Sequence, residues 1–347
     1  MAVTRRELVV GAGALAALPA LPVAARDAKA LTRIAFGSCA HQDKPQPIWD
    51  RVNAWQPELF VFLGDNIYGD TEDMGVMRAK YDKLAAKPGF RKLRASCDVV
   101  ATWDDHDYGL NDAGREYRMK AQSKELFCEF WGEPADSPRR SRAGIYTSYI
   151  YGPPGKRVQI ILPDNRTFRS GLLGITEEPK DRGPYLVNAD PKATMLGDAQ
   201  WAWLAEEFRK PAEVRIFASS TQVLADAPGY EAWINYQADH QRLLDLIRFA
   251  RVDGVIMISG DTHYAELSKL TEGVRYPLYD LTSSGLTQVW EFLGPNRLRV
   301  GEGLLAQNYG RISVDWAAPD PEIVLEVESI DGRIAISQRL RLSQLRG

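Results

Sequence analysis

Three cysteines in 347 residues, Cys39, Cys97 and Cys128, are too few and too scattered for a disulfide framework, and an odd number leaves at least one thiol free or bound to something. Histidine is nearly as scarce. His41, His106, His240 and His263 are the whole stock, which makes an imidazole-rich di-zinc centre hard to assemble. There is no excess of positive charge: 43 Lys and Arg stand against 46 Asp and Glu, a net charge of −3. Nucleic-acid binding therefore has no electrostatic support. Repeats, low-complexity tracts and long linkers are missing too. What remains is an ordinary globular composition, 45% hydrophobic and 26% charged, enough for one large domain or two modest ones.

The one long apolar run, Leu8 to Ala25, is 18 residues and is broken by Pro19 and Pro22, short for a membrane span. Arg5 and Arg6 precede it, and the small residues Val23, Ala24 and Ala25 close it. That pattern predicts a twin-arginine signal over residues 1–25, cut after Ala25 and handled by the twin-arginine export machinery. Losing Arg5, Arg6 and Glu7 takes the net charge from −3 to −4. The expected product is periplasmic or secreted, with no transmembrane segment. Export in the folded state suits a chain that acquires metal before leaving the cytoplasm.

Beyond the leader, apolar runs alternate with amphipathic segments, which predicts a layered α/β architecture. Strands are expected at Leu31–Cys39, Glu58–Asp65 and Asp98–Asp107, then as a pair over "IYTSYIYG" and "KRVQIILPD", then at Val214–Ser220 and Gly254–Leu267. Helices are expected at Pro47–Trp55, Ala113–Trp131, Asp198–Phe208 and Tyr236–Arg251. "RISVDW", "EIVLEVES" and "RIAISQRLRL" alternate clearly and predict an antiparallel closing sheet. Thr167–Leu196 is loop-rich and yields no pattern.

The apolar runs end alike. They run into "GSCAH" (Gly37–His41), "GDNIYGD" (Gly64–Asp70), "WDDHDYGLND" (Trp103–Asp112), "PDNRTFR" (Pro163–Arg169) and "SGDTHYAEL" (Ser259–Leu267). Ligands bind beyond the carboxyl ends of strands in open α/β sheets, so these endings predict one shared metal site. Taken singly, each residue has a plainer use. Asp65 could form a turn, Tyr68 could be a packed ring and Cys39 a small buried thiol, and His240 on its helix reads as structural. Carboxylates, an amide oxygen and a phenolate are hard ligands suited to Ca²⁺, Mg²⁺, Mn²⁺ or ferric ion. Thiolate from Cys39 beside phenolate from Tyr68 leans towards iron; Asp105 and Asn111 lean towards calcium or magnesium. His41 is expected to line the cleft.

In order, Gly37-Ser38-Cys39, Gly64-Asp65-x-x-Tyr68, Trp103-Asp104-Asp105-His106-Asp107, Asp164-x-Arg166 and Ser259-Gly260-Asp261-x-His263 resemble the PhoD-type alkaline phosphatases, within the calcineurin-like metallophosphoesterases. The resemblance implies a four-layer αββα sandwich of two mixed sheets flanked by helices, as a single domain over residues 31–345. It also implies an Fe³⁺/Ca²⁺ centre, with Mg²⁺, Mn²⁺ or Zn²⁺ as alternatives at the second position. Cys39, Asp65, Tyr68 and His263 match the iron shell, with Asp65 as the bridge. Asp105, Asn111 and Asp261 match the calcium side. His106 matches the catalytic histidine, and Arg166 a phosphate-contacting arginine, with Asn111 and His41 beside the substrate. Two departures stand out: Asn165 replaces the usual threonine of Asp-Thr-Arg, and the N-terminal β-sandwich domain of many members is missing.

The implied activity is hydrolysis of a small phosphomonoester or phosphodiester by a metal-bound hydroxide. A phospholipase D-like phosphodiesterase with an aromatic groove (Trp201, Trp203, Trp233, Tyr230, Trp290) competes with it. So does an exported calcium-binding protein without catalysis.

Overall fold

Side-chain alternation along Leu59–Leu63 decides where the core sits. Leu59, Val61 and Leu63 enter one buried cluster while Phe60 and Phe62 enter another, so the strand is covered on both faces. The structure, a computed structural model, describes residues 30–174, 183–227 and 229–347. The leader expected over residues 1–25 lies outside them.

In chain order the first strands are β1 (Arg33–Gly37), β2 (Leu59–Leu63), β3 (Asp98–Thr102), β4 (Thr147–Tyr151) and β5 (Val158–Leu162). A two-residue ribbon follows, β6 (Leu173–Gly174) with β7 (Tyr185–Leu186). The remaining strands are β8 (Val214–Ala218), β9 (Val255–Ser259), β10 (Ala265–Leu270), β11 (Leu278–Ser283), β12 (Asn308–Asp315), β13 (Glu322–Ser329) and β14 (Ile334–Arg341). One sheet has the order β14-β13-β12-β1-β2-β3, with β1, β2 and β3 parallel and the three C-terminal strands antiparallel, as their alternation predicts. The other runs β10-β11-β9-β8-β5-β4, parallel through β11, β9, β8 and β5 with an antiparallel strand at each edge.

The helices are α1 (Ile48–Trp55), α2 (Met74–Ala85), α3 (Pro88–Ser96), the single turns α4 (Asp105–Tyr108) and α6 (Pro138–Ser141), α5 (Lys120–Phe130), α7 (Gly197–Arg209) and α8 (Gln237–Phe249). Trp49, Met77, Phe90 and Phe127 from α1, α2, α3 and α5 pack on Phe60, Phe62 and Ala101 of the first sheet. Ile34, Val61 and Val100 join Ile160, Ile216, Ile258 and Leu281 of the second sheet in one cluster, which also takes Trp201 and Leu204 of α7 and Leu243 of α8. Helix, sheet, sheet, helix: this is the expected αββα sandwich.

Several local readings change: the strands expected to reach Asp107 and Leu267 stop at Thr102 and Ser259, with a helical turn over Asp105–Tyr108 and a separate strand from Ala265. The helix expected from Ala113 starts only at Lys120. Residues 113–119 are instead tied to neighbouring loops, with Arg115 N donating to Arg169 O at 2.9 Å and Tyr108 Oη to Gly114 O at 2.9 Å. The helices α2 and α3 and the strand β11 were not legible as elements; Asp73 starts α2 by accepting from the amides of Gly75 and Val76.

Candidate metal centre

The parallel strands of both sheets leave their chemistry-bearing residues just past their last hydrogen-bonded positions. Cys39 follows β1, Asp65 and Tyr68 follow β2, Asp104 to Asp107 follow β3, and Asp261 and His263 follow β9. These loops are unusual in backbone terms. Cys39, Asp65, Asp70, Asp112, Asp261 and His263 all have positive φ, between 47° and 73°. Each such residue costs on the order of 1 kcal/mol, which persists only where surroundings over-determine it, and such strain gathers at functional sites. Glycines allow the loops to approach. A Cβ on Gly64, at φ 98°, would lie 2.5 Å from Asp104 Cβ, and one on Gly260 would lie 2.5 Å from Ser38 Oγ.

The result is convergence. Cys39, Asp65 and His263 offer ligand atoms all within 4.8 Å of one another; so do Asp65, Asp105 and His106, and so do Asp65, Asp104, Asp105 and Asp261. Asp65 belongs to all three groups. Its Oδ2 accepts from Cys39 Sγ at 3.3 Å and from Tyr68 Oη at 3.4 Å, and Tyr68 Oη lies 3.0 Å from His263 Nε2. Asp65 Oδ1, Asp104 Oδ2 and Asp105 Oδ1 are buried with no hydrogen-bond partner among the described residues. Buried carboxylate oxygens left this way are costly, and the three acids that carry them belong to one group of ligand distance. A sulfur, a phenol, an imidazole and several acids with free oxygens fit a pair of cations.

Electrostatics lead to the same result. Burial, then the Cys39 thiol, pushes the Asp65 carboxyl well above the usual range, and burial with neighbouring acids does the same for Asp261. Burial raises Asp104 to about 7 against the pull of Arg166. Burial also lifts the Cys39 thiol to about 12 and Tyr68 well above its ordinary value. Asp105 goes the other way: burial opposes its charge, yet Arg166, His106 and the amide of Asp112 hold it below the carboxylate range. Burial keeps His263 neutral, down to about 4, with a lone pair available to a metal. His106 is raised to about 11, burial being outweighed by Asp65, Asp105 and Asp70. Its Nδ1 lies 2.7 Å from Asp70 Oδ1 and its ring 4.2 Å from that of Tyr68.

Other expected residues fall around this centre. His41 stacks on Tyr68 at 4.6 Å and 13°. Asp107 is a brace, accepting from Asp104 N at 2.7 Å, Asp65 N at 3.2 Å and Asn66 Nδ2 at 2.5 Å, which locks two loops together. Asn165 donates to Ser219 Oγ at 2.8 Å and Ser220 Oγ at 3.2 Å. Its amide holds the β5 and β8 loops together, and His240 sits on α8.

Two expectations meet a different geometry. Arg166, expected to contact phosphate, is fully buried. Its guanidinium is engaged by Asp104 (Nε to Oδ1, 2.6 Å) and Glu231 (Nη1 to Oε1, 2.9 Å), with Nη2 3.7 Å from Asp105 Oδ1, so two buried acids already hold it at the edge of the cluster. Asn111 is exposed and makes no side-chain hydrogen bond among the described residues, whereas its neighbour Asp112 turns inward. Asp105, Asp112 and Glu231 form a further acidic group of ligand distance, and Tyr185 Oη donates to Asp112 Oδ2. Glu231 and Asp112 were not singled out from the sequence. The available signal was an acid in a run of aromatic and apolar residues, "GYEAW", which is expensive to bury unless paired.

The aromatic groove also splits. Trp201 and Trp233 are core, and Trp203 packs beside Tyr146, while Tyr230 and Trp290 lie near His263.

Comparison with known proteins places this geometry. Residues 34–298 match the model of the PhoD-like phosphatases. Alkaline phosphatase D of Bacillus subtilis (strain 168) is 22% identical over 247 residues, which is 65% of this chain but only 40% of that relative's length. A solved structure of PhoD superposes with a TM-score of 0.70 at 16% identity, covering 90% of this chain and 73% of the other. A dimetal phosphatase from Danio rerio gives 0.54 at 14% identity, covering 90% of this chain and all of the other. An anchor protein of the inner membrane complex of Plasmodium gives 0.56 at 13%, covering 90% and 89%. At such identities the structural matches speak for the fold, while the family model spans most of the chain: this protein belongs to the PhoD-like phosphatase family.

Proposed function

We propose that the chain is an exported, metal-dependent phosphoric ester hydrolase whose single catalytic domain covers residues 31–345. The observation that carries this reading is the sharing of Asp65 among three ligand groups, the arrangement a bridging carboxylate requires. Cys39, Asp65, Tyr68 and His263 would hold Fe³⁺; Asp65, Asp104, Asp105 and Asp261 would hold Ca²⁺, with Asp112 and Glu231 adjoining and Asn111 at the rim. Mg²⁺, Mn²⁺ or Zn²⁺ are alternatives at the second position. Such a cation pair, when bound, activates water and neutralises charge on a phosphoryl group.

The protein's own groups do the rest. Asp70 fixes the His106 ring through Nδ1 at 2.7 Å, and its place beside Asp65 and Asp105 lets it protonate the departing ester oxygen. His41, stacked on Tyr68, lines the mouth. Arg166 is a positioning residue: by neutralising Asp104 and Glu231 it keeps Asp105 ionised and aimed. Export through the twin-arginine route, with removal of residues 1–25, puts the enzyme outside the cytoplasm. No helix among the described residues is long and apolar enough to cross a membrane.

Elemental analysis of protein recovered from its export route, with a panel of aryl and bis-aryl phosphates, tests the reading. Iron and a hard divalent ion with turnover of the monoester are expected. Metal without hydrolysis of any ester leaves the calcium-binding reading standing instead. Preference for the bis-aryl ester favours the phospholipase D-like reading, which the aromatic residues near His263 make worth testing.

A further inference from the structure

The loop after β11 is fastened to the metal-centre loops on both sides. Leu286 N donates to Ser38 O at 3.2 Å, Thr287 N and Oγ1 donate to Cys39 O at 3.1 and 2.8 Å, and His41 N donates to Thr287 Oγ1 at 2.8 Å. Trp290 N donates to His263 O at 3.0 Å. What this loop displays is therefore fixed relative to the site. It displays rings. Trp290 stands edge-on to His263 (5.5 Å, 80°), and Phe292 lies nearly parallel to Trp290 (5.1 Å, 20°). Tyr230 closes the group at 4.6 Å from Trp290 and 6.1 Å from Phe292. Phe292 remains 48% exposed and Val289 38%. On the same loop Gln288 is in contact with Lys44, whose ammonium stands on the exposed side of the mouth.

Single exposed apolar residues mean little, but an outward stack of rings pinned one ring away from a candidate ligand is a recognition surface. We propose that Trp290, Phe292 and Tyr230 form a stacking shelf that selects phosphate esters carrying a planar ring on the alcohol side, as in a nucleoside phosphate. This rests on the phosphoesterase reading. A phosphate at the centre, next to His263, directs its ester group along Trp290 to the open face of Phe292. Parallel stacking on such a face is tolerant of ring identity and needs no hydrogen-bond readout.

The test compares adenosine 5′-monophosphate with ribose 5-phosphate, which share the same ester oxygen and differ only in the base. Calorimetric titration of the metal-loaded full chain is expected to give at least about tenfold tighter binding of the nucleotide. In Phe292→Ala the ratio of the two affinities falls towards one, and in Phe292→Trp it is kept. A ratio near one in the wild-type protein overturns the shelf, and so does a ratio that survives Phe292→Ala. Survival in Phe292→Leu also overturns it, because general apolar contact, as with an acyl chain, would then suffice. Turnover of the same pair separates the two readings. Both esters hydrolysed without preference removes the shelf and keeps the hydrolase; a binding ratio that tracks Phe292 with no turnover keeps the shelf and removes the hydrolase.

Discussion

Replacing Asp65 by asparagine should separate two properties that usually fall together. Asp65 sits at φ 49°, a conformation asparagine tolerates better than other non-glycine residues, so the backbone is undisturbed. The amide oxygen can still accept from Cys39 Sγ and Tyr68 Oη, while the new NH₂ occupies the place of Oδ1, which has no hydrogen-bond partner among the described residues and lies near Asp105. Without cations, burial already holds the Asp65 carboxyl towards its neutral form, so the neutral amide replaces it at little cost and the apoprotein should match the wild type within about 1 kcal/mol. With cations the two diverge. Ligand at 1,000 times its Kd adds ~4 kcal/mol to the wild type. At about 2 °C per kcal/mol for a chain of this size, that raises Tm by ~8 °C. Asp65→Asn should show under about 2 °C of shift and lose at least ~10²-fold in kcat/KM, the scale of one lost transition-state contact. Calorimetry in chelator and in added iron and calcium, beside an ester assay, reads all three quantities. A variant that keeps the full metal-induced shift and its activity would refute the bridging role.

Arg166→Met should lower stability by the order of 3–5 kcal/mol expected for a stranded buried acid, because Asp104 loses its cation and Glu231 is left with Arg169. A higher KM with unchanged stability would instead return Arg166 to the substrate. His106→Ala should slow esters of poor leaving groups about 10²-fold more than activated aryl phosphates, and equal losses would remove the proton-donor role. His240, on α8, tests acid stability away from the centre. Burial lowers it from 6.5 to about 4, so between those values the unfolded chain binds a proton that the native chain refuses. Stability must fall as pH drops through 6.5, by up to ~3 kcal/mol near pH 4. Denaturant titrations of His240→Gln should show that part of the acid limb flattened; an unchanged profile would place the acid sensitivity elsewhere.

The sequence carried the fold well because buried parallel strands announce themselves as apolar runs, and the polar knots at their ends are local in the chain. Cys39, Asp65, Asp105 and His263, which the structure brings to ligand distance in groups around Asp65, and Tyr68 beside them, all stand in such knots. What escaped were effects of distance. Glu231 joins the cluster from more than a hundred positions away and only folding brings it to Asp105, whereas Asp112 lies in the same knot as Asp105, its amide donating to Asp105 Oδ2 at 2.7 Å, and was passed over for its neighbour Asn111. Arg166 is identifiable as important from its motif, yet whether it faces solvent or two acids depends on Glu231, 65 positions away. Helix α2 hid because Met77, Tyr81 and Leu84 are its only buried residues in a heavily charged segment.

The candidate ligands are drawn from both sheets: Cys39 and Asp65 from the first, Asp261 and His263 from the second. The two halves of the sandwich are joined by their shared apolar cluster, and at one end of it by this crowd of buried acids, where bound cations would act as a rivet. Metal uptake would then tighten a joint between sheets that the apolar core has already closed, so its loss would be felt first in the loops beyond the strand ends.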